Sequence, residues 1–237
     1  MVGAIAGRWL APQIGSLSGP LLAADGEEAG ERLTAALLDW FDHEQCRLVT
    51  ALRPTDDRFH NLLKRQGFAP VARISFMVAT RLSEPAPSST IALSVPPETA
   101  RQRWLDVLDG TFEQTQDCPA LRQAMDAADA LATFQRSTFE EQKWLLATRN
   151  GNDVGCLILG FDAEEEAVEI LYLGVVHSHQ RAGIGRELLQ TAFAAARQRG
   201  SRRVGLGVDA ANRPAVSLYL EGGFYEYDQR DLICKQF

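Results

Sequence analysis

The residues with the clearest chemical potential are QRAGIG (180–185), set between a run of β-type residues, EILYLGVV (169–176), and a helical pattern, RELLQTAFAAARQ (186–198). Glycines at a strand-to-helix turn let consecutive backbone N–H groups converge on one point, and the helix behind them adds the positive end of its dipole. Gly183 and Gly185 have no Cβ to block close approach, while Arg181 and Arg186 add mobile positive charge. That chemistry suits a phosphate or pyrophosphate. The segment is not a P-loop, since no GK[ST] follows. Nor is it the dinucleotide fingerprint, which needs a further glycine where Arg186, Glu187 or Leu188 stands. His177 and His179 flank the turn and are read as capping or solvating it. Cys46, Cys118, Cys156 and Cys234 lie far apart, with no CxxC pair and no histidine at ligand spacing, so no metal site is expected.

The elements that must position this turn are legible from pattern. A strand (90–95), a helix (97–109), a loop containing TQDCP (115–119) and a short helical segment, PALRQAMDAADA (119–130), come first. KWLLAT (143–148) and VGCLILGF (154–161) flank an Asn-Gly turn and read as a hairpin. A turn at 163–167 leads into the strand 169–176. Leu188, Leu189, Ala192, Phe193 and Ala196 then follow a period near 3.6 and mark the buried face of the next helix. A strand (202–210), a helix (213–223) and a strand (227–237) close the chain. The expected fold is mixed α/β, with a central sheet flanked by helices.

A Ser/Pro-rich stretch, SEPAPSST, suggests a linker at 83–89 between a front part (1–82) and a back part (90–237). The two parts resemble each other when shifted by 156 residues, with Glu31/Glu187, Leu33/Leu189, Ala36/Ala192, Leu62/Leu218, Gly67/Gly223 and Phe68/Phe224 identical. The order helix, strand, helix, Gly-Phe and final strand is shared, which predicts a divergent duplication with a shortened first copy.

The chain has 237 residues, 46% hydrophobic and 23% charged, with a formal net charge of −7. This acidity argues against a nucleic-acid partner. No apolar run reaches the roughly 18–20 residues needed to span a bilayer, and the apolar N-terminus lacks a preceding basic region. A cytoplasmic protein with reduced thiols and no membrane partner is expected; a homodimer remains open. The basic run Arg197, Arg199, Arg202 and Arg203 sits at a helix C-terminus, where the dipole explains it.

Two motifs in series resemble the GNAT superfamily of acyl-CoA-dependent acetyltransferases. QRAGIG fits that family's [Q/R]xxGx[G/A] signature after the fourth strand. Asn212, Ala215, Leu218, Tyr219, Gly223 and Phe224 fit NxxAxxLYxxxGF about thirty residues on. The resemblance covers roughly 90–237 and implies a GNAT fold with acetyl-CoA as cosubstrate. It implies that the N–H groups of Arg181, Ala182, Gly183, Ile184, Gly185 and Arg186, with Gln180 before them, hold the pyrophosphate. The strand edge at Val175 and Val176 would pair with the pantetheine amides and offer an oxyanion N–H. A bulge beside them is expected, and Gly174 suits it. Asn212 would bond near the pantetheine, and Tyr219 would protonate the departing thiolate. Glu169, eleven residues before Gln180, is the implied base, with Tyr172 acting through water as the alternative; an exposed glutamate in the acidic stretch EEEAVE is the plainer reading. The family has Pro where His177 stands, a difference that touches loop stiffness more than chemistry. The loop 115–119, with Asp117 and Cys118, lies where relatives line the acceptor pocket.

The implied activity is acetyl transfer to a primary amine of a small molecule or peptide. A non-catalytic acyl-CoA-binding module is the alternative, and a purely structural pairing domain a third. In the first copy QRAGIG falls on ADGEEA (24–29), Tyr219 on Leu63 and Asn212 on Asp56. Asp25, Glu27 and Glu28 would repel a pyrophosphate, so the expectation is a worn-down GNAT half without a cofactor site, as in tandem GNAT architectures.

Overall fold

The computed structural model describes residues 3–22, 26–54, 58–82 and 89–237. The expected linker, apart from Ser89, lies outside the described residues, as do Asp25 and Asp56. In chain order the elements are β1 (Gly3–Ala11), β2 (Ile14–Leu22), α1 (Glu27–His43), β3 (Leu48–Pro54), α2 (Arg58–Arg65) and β4 (Ala69–Ala79). These are followed by β5 (Ala92–Ser94), α3 (Arg101–Phe112), α4 (Pro119–Ala124), α5 (Ala127–Gln135), β6 (Glu141–Arg149) and β7 (Asn152–Asp162). The last elements are β8 (Ala167–Val175), α6 (Ile184–Gln198), β9 (Arg203–Asp209), α7 (Arg213–Glu221) and β10 (Tyr225–Gln236). The strands form one mixed sheet in the order β1-β2-β3-β10-β4-β9-β8-β7-β6-β5, the α/β architecture that the pattern predicts.

The sheet runs through both parts of the chain. β10, from the back part, lies between β3 and β4 from the front part, antiparallel to each. Ile74 stands opposite Arg230 across the central β4–β10 pair, and these positions are 156 residues apart. Shifted by the same interval, α1 falls on 183–199, the span of α6, and α2 falls on 214–221, the span of α7. The pairing therefore relates the two sets of elements by an approximate twofold axis at the sheet centre.

One face of the sheet is covered by α6, whose Leu188, Leu189, Ala192, Phe193 and Ala196 are buried against Val168, Ile170, Val204, Leu206 and Val208. The opposite face carries α3 and α5, where Trp104, Val107, Leu108 and Leu131 pack on Leu146, Cys156 and Ile158. At roughly 1.5–3 kcal/mol per fully buried large apolar side chain, these two layers dominate the stability of the scaffold. Met125, Leu121 and Ala124 join Ala11, Ile14 and Leu48 in a further cluster, so the segment after α3 leans on the front part of the sheet.

Three departures from the sequence expectation have local causes. The hairpin β1–β2 has no strong period-2 pattern, because Gly7 and Gly15 replace side chains where the Phe41 ring lies against the strands. The single helical segment at 119–130 is two helices: Asp126 caps α5 reciprocally with Asp129 and ends α4. The bulge expected at Gly174 lies three residues earlier, at Leu171. Gly174 pairs regularly with Cys156, and the register slips between Ile158 and Leu159, leaving Leu171 as the extra residue. Gly174 instead makes room for Tyr172, whose ring carbon Cε1 would be 2.6 Å from a Cβ there. Among the described residues, no helix is long and apolar enough to cross a membrane.

Candidate active site

The bulge at Leu171 decides where the site lies. β8 and β9 are paired in parallel only from Ala167/Arg203 to Ile170/Leu206; beyond that the two strands part. The opening continues into a cleft of about 740 Å³, walled by the second half of β8, the end of β9, the turn before α6, the start of α7 and the loop after α3. Its dimensions suit a drug-sized or cofactor-sized ligand.

At one end is the glycine turn. Gly183 has φ 83°, a left-handed value that favours glycine, and Arg181 has φ 62°. Gly185 serves helix packing as well: a Cβ there would be 3.3 Å from Leu218 Cδ2. The first N–H groups of α6 have no intrahelical acceptor and point out of its N-terminus. Arg186 differs from this pattern, since its N–H is bonded to the Gly183 carbonyl at 3.0 Å and its guanidinium pairs with Glu221 at 2.5 Å. Gln180, Arg181, Gly183, Ile184, Gly185 and Arg186 all line the cleft. Ala182 is exposed and does not.

Along the wall, Val175 lines the cleft and Val176 does not. The Val176 N–H is bonded to the Val154 carbonyl of β7 at 3.0 Å, so it is not available to a ligand. Peptide groups alternate sides along a strand. The N–H groups of Val175 and Leu173 therefore face the opening, and Leu173 takes the place expected of Val176. Val175 is further tied to the turn, its carbonyl accepting from Gln180 Nε2 at 3.3 Å.

Asn212 caps α7, its Oδ1 accepting the Ala215 N–H at 3.3 Å, and it lines the cleft with its amide donors unpartnered among the described residues. Tyr219 is 6% exposed, packs on Phe224 with ring centroids 5.6 Å apart, and lines the same cleft. Its hydroxyl has no hydrogen-bond partner among the described residues. Burial, with the charge of Asp117, pushes its pKa up, so it holds its proton at neutral pH.

Glu169 is placed differently from the residues above. It precedes the bulge, does not line the cleft, and lies over Gly205, where a Cβ would collide with its carboxyl group. Desolvation, partly offset by Arg203, raises its pKa to about 7. Tyr172 gives up its hydroxyl to Thr111 Oγ1 at 2.7 Å, and burial raises its pKa well above the usual phenol range, which disqualifies it as a base near neutrality. The Cys118 thiol is buried and also held protonated, mainly by desolvation.

Asp117 is the carboxylate that the loop after α3 turns into the cleft. Sequence reasoning placed the loop but not the role, because the contact that sets it is distant in the chain. Asp209, at the end of β9, accepts the Cys118 N–H at 3.0 Å and donates its own N–H to Asp117 Oδ1 at 3.3 Å. Burial raises the Asp117 pKa against the opposing effects of that hydrogen bond and of Arg122. Among the described residues no group of three or more His, Cys, Asp or Glu side chains is placed to hold a metal ion.

The model of the acetyltransferase (GNAT) family matches residues 104–224, which include every cleft element named above. A mycothiol acetyltransferase of Pseudarthrobacter chlorophenolicus is 28% identical over 182 residues, covering 71% of this chain and 54% of that protein. The chain thus spans about half the length of that relative. A mycothiol acetyltransferase of Streptomyces bingchenggensis is 34% identical over 90 residues, covering 38% of this chain and 29% of its own. A GCN5-related N-acetyltransferase structure from Sphaerobacter thermophilus aligns with TM-score 0.67 at 21% identity, over 99% of this chain and 76% of that one. A tandem GNAT protein from the clavulanic acid biosynthesis pathway aligns with TM-score 0.65 at 13% identity, over 99% of this chain and 79% of that one. At these identities the structures speak to the fold alone.

Proposed function

The chain belongs to the acetyltransferase (GNAT) family, and from that premise we propose that it transfers an acetyl group from acetyl-CoA to the primary amine of a small molecule. The observation that carries the reading is a single cleft with a glycine turn at a helix N-terminus at one end and, in its wall, the hydroxyl of the largely buried Tyr219, without a protein partner among the described residues. The N–H groups of Gly183, Ile184 and Gly185, with Arg181, would hold the pyrophosphate. The free edge of β8 at Leu173 and Val175 would pair with the pantetheine amides, as an added strand would.

In this reading the neutral amine attacks the thioester carbonyl carbon. The carbon–nitrogen bond forms, the carbon–sulfur bond breaks, and a β8 N–H stabilises the oxygen that gains charge. Tyr219 donates its proton to the departing thiolate, a contribution of roughly 10²–10⁴ in rate for a well-placed acid. Glu169 enters as the base through intervening water, supported by its pKa of about 7 and limited by its position outside the cleft lining. A small acceptor is favoured over a peptide because both matched relatives bear the name mycothiol acetyltransferase. The front part, 1–82, is read as a partial GNAT-like half without a cofactor site, supporting the catalytic span 90–237.

The test is thiol release from acetyl-CoA by the purified protein across a panel of small primary amines. Amine-dependent release supports transfer. Tight binding of acetyl-CoA with no release beyond the uncatalysed rate for any amine would favour the non-catalytic binding module instead.

A further inference from the structure

Arg181 and Arg186 line the cleft at the glycine turn, where Glu221 is paired with Arg186, and Arg213 lines it at the start of α7. Another wall is the loop after α3, and among the described residues it brings one carboxylate to the cleft, Asp117, flanked by the uncharged polar Gln114, Thr115 and Gln116. We propose that Asp117 receives the ammonium group of the acceptor and so restricts the acceptor to small, polar, cationic primary amines. This rests on the acyl-transfer reading of the cleft and names a residue for the half of the site that the cofactor does not use.

Three observations support it. First, the carboxylate is held in place before any ligand arrives. Its own N–H is bonded to Thr115 Oγ1 at 3.1 Å, the next N–H is held by Asp209 at 3.0 Å, and Oδ1 accepts at 3.3 Å. Oδ2 has no hydrogen-bond partner among the described residues. That oxygen is left for a donor entering the cleft that Asp117 lines.

Second, the groups that face Asp117 do not supply it. Asp209, from β9, carries the same charge and is already bonded to two N–H groups through its side chain. Tyr172, from β8, is committed to Thr111. Arg122, from α4, offsets part of the burial of Asp117 but lies over the Phe112 ring at 4.1 Å, with no hydrogen bond to Asp117 among the described residues. Cys118 turns its thiol into the protein interior. Third, the residue Tyr219, from α7, is more than nine-tenths buried and brings its hydroxyl to the same cleft, so this hydroxyl and Asp117 Oδ2, both without partners among the described residues, face one cavity. An ammonium beside Asp117 would favour the ionised carboxylate and form a charge-assisted hydrogen bond, and it then loses one proton to solvent water before the neutral amine attacks.

The experiment is a calorimetric titration of the CoA-saturated protein with glycinamide and with glucosamine, each beside its uncharged hydroxyl counterpart, glycolamide and glucose. At least one amine should bind at least tenfold more tightly than its counterpart. Asp117→Asn should abolish that preference and change the CoA dissociation constant less than twofold, while Asp117→Glu should restore part of it. Equal binding of amines and counterparts, no binding of either amine, or an unchanged preference in Asp117→Asn would overturn the assignment. So would a loss of CoA affinity in Asp117→Asn with an unchanged melting temperature, since Asp117 would then serve the cofactor. Failure of the wild-type protein to bind CoA at all would instead count against the reading of the cleft.

Discussion

The sheet contains two places where parallel strands begin as a pair and then part; shifted by 156, Thr50 falls on Leu206 and Ser16 falls two residues beyond Ile170. β8 and β9 separate after Ile170/Leu206, and β2 and β3 separate after Ser16/Thr50. In the back part the opening is the cleft. In the front part Arg53, which occupies the position of Asp209 in the shifted numbering, reaches across and donates to the Gly19 carbonyl at 2.7 Å. Leu63, at the position of Tyr219, is fully buried in an apolar cluster. The helix ends differ as well. The N-terminus of α6 presents Gly183 and Gly185, whereas that of α1 presents Glu27 and Glu28, and Glu27 is tied to Arg65 at 2.8 Å. The two strand separations thus carry different side chains at the positions that face them. On the proposed reading, strand separation alone does not make a cofactor site; the charge at the helix end and an unfilled gap are needed too.

The largest expected effect comes from reversing charge at the open end. Gly185→Asp should weaken acetyl-CoA binding by more than 100-fold, because it places a carboxylate at the pyrophosphate position. Glu27→Ala in the front part should leave affinity within twofold. Since a Cβ at 185 meets Leu218, the exposed Arg181→Glu provides an independent check, with a loss of at least tenfold; equal effects in both parts would break the comparison. Next, Tyr219→Phe should lower kcat by about 10²-fold with acetyl-CoA affinity nearly unchanged, the signature of an interaction made in the transition state. Its counterpart, Leu63→Ala, should instead cost about 2–5 kcal/mol of stability through the cavity it leaves, with the bound cofactor unaffected.

How much of this was legible from sequence depended on how local each cause is. The turn at 180–185 and the buried stripe of α6 are set within a few residues and read from pattern, while Asn212 and Tyr219 were singled out by the resemblance to the family motif, and both line the cleft. Leu171 was not legible, because a bulge is defined by the partner strand across it. The orientation of Val176 depends on Val154 in the same way. Asp117 depends on Asp209, and the placement of β10 between β3 and β4 depends on pairing between the two ends of the chain. Glu169 was found by its place in the motif, yet the strand alternation turns it over Gly205 and away from the cleft lining.

A smaller effect tests that last point. The folded pKa of Glu169, about 7, lies above its ordinary value of 4.5, so the folded protein binds the proton more tightly than the unfolded chain. Its contribution to stability is therefore full below about pH 4.5 and is lost as pH rises through 7. The melting temperature of the wild-type protein should fall relative to that of Glu169→Gln across this window, measured by scanning calorimetry at matched ionic strength. A constant difference between the two would mean that the carboxyl group is not desolvated.

The most direct test of the whole account is an isothermal titration of the purified protein with acetyl-CoA at two salt concentrations. One site per chain is expected, with affinity that falls as salt rises, if the turn at 180–185 receives the pyrophosphate through charge and the front part binds none. Two sites would contradict the contrast between the halves, and no binding at millimolar ligand would reduce QRAGIG to a turn.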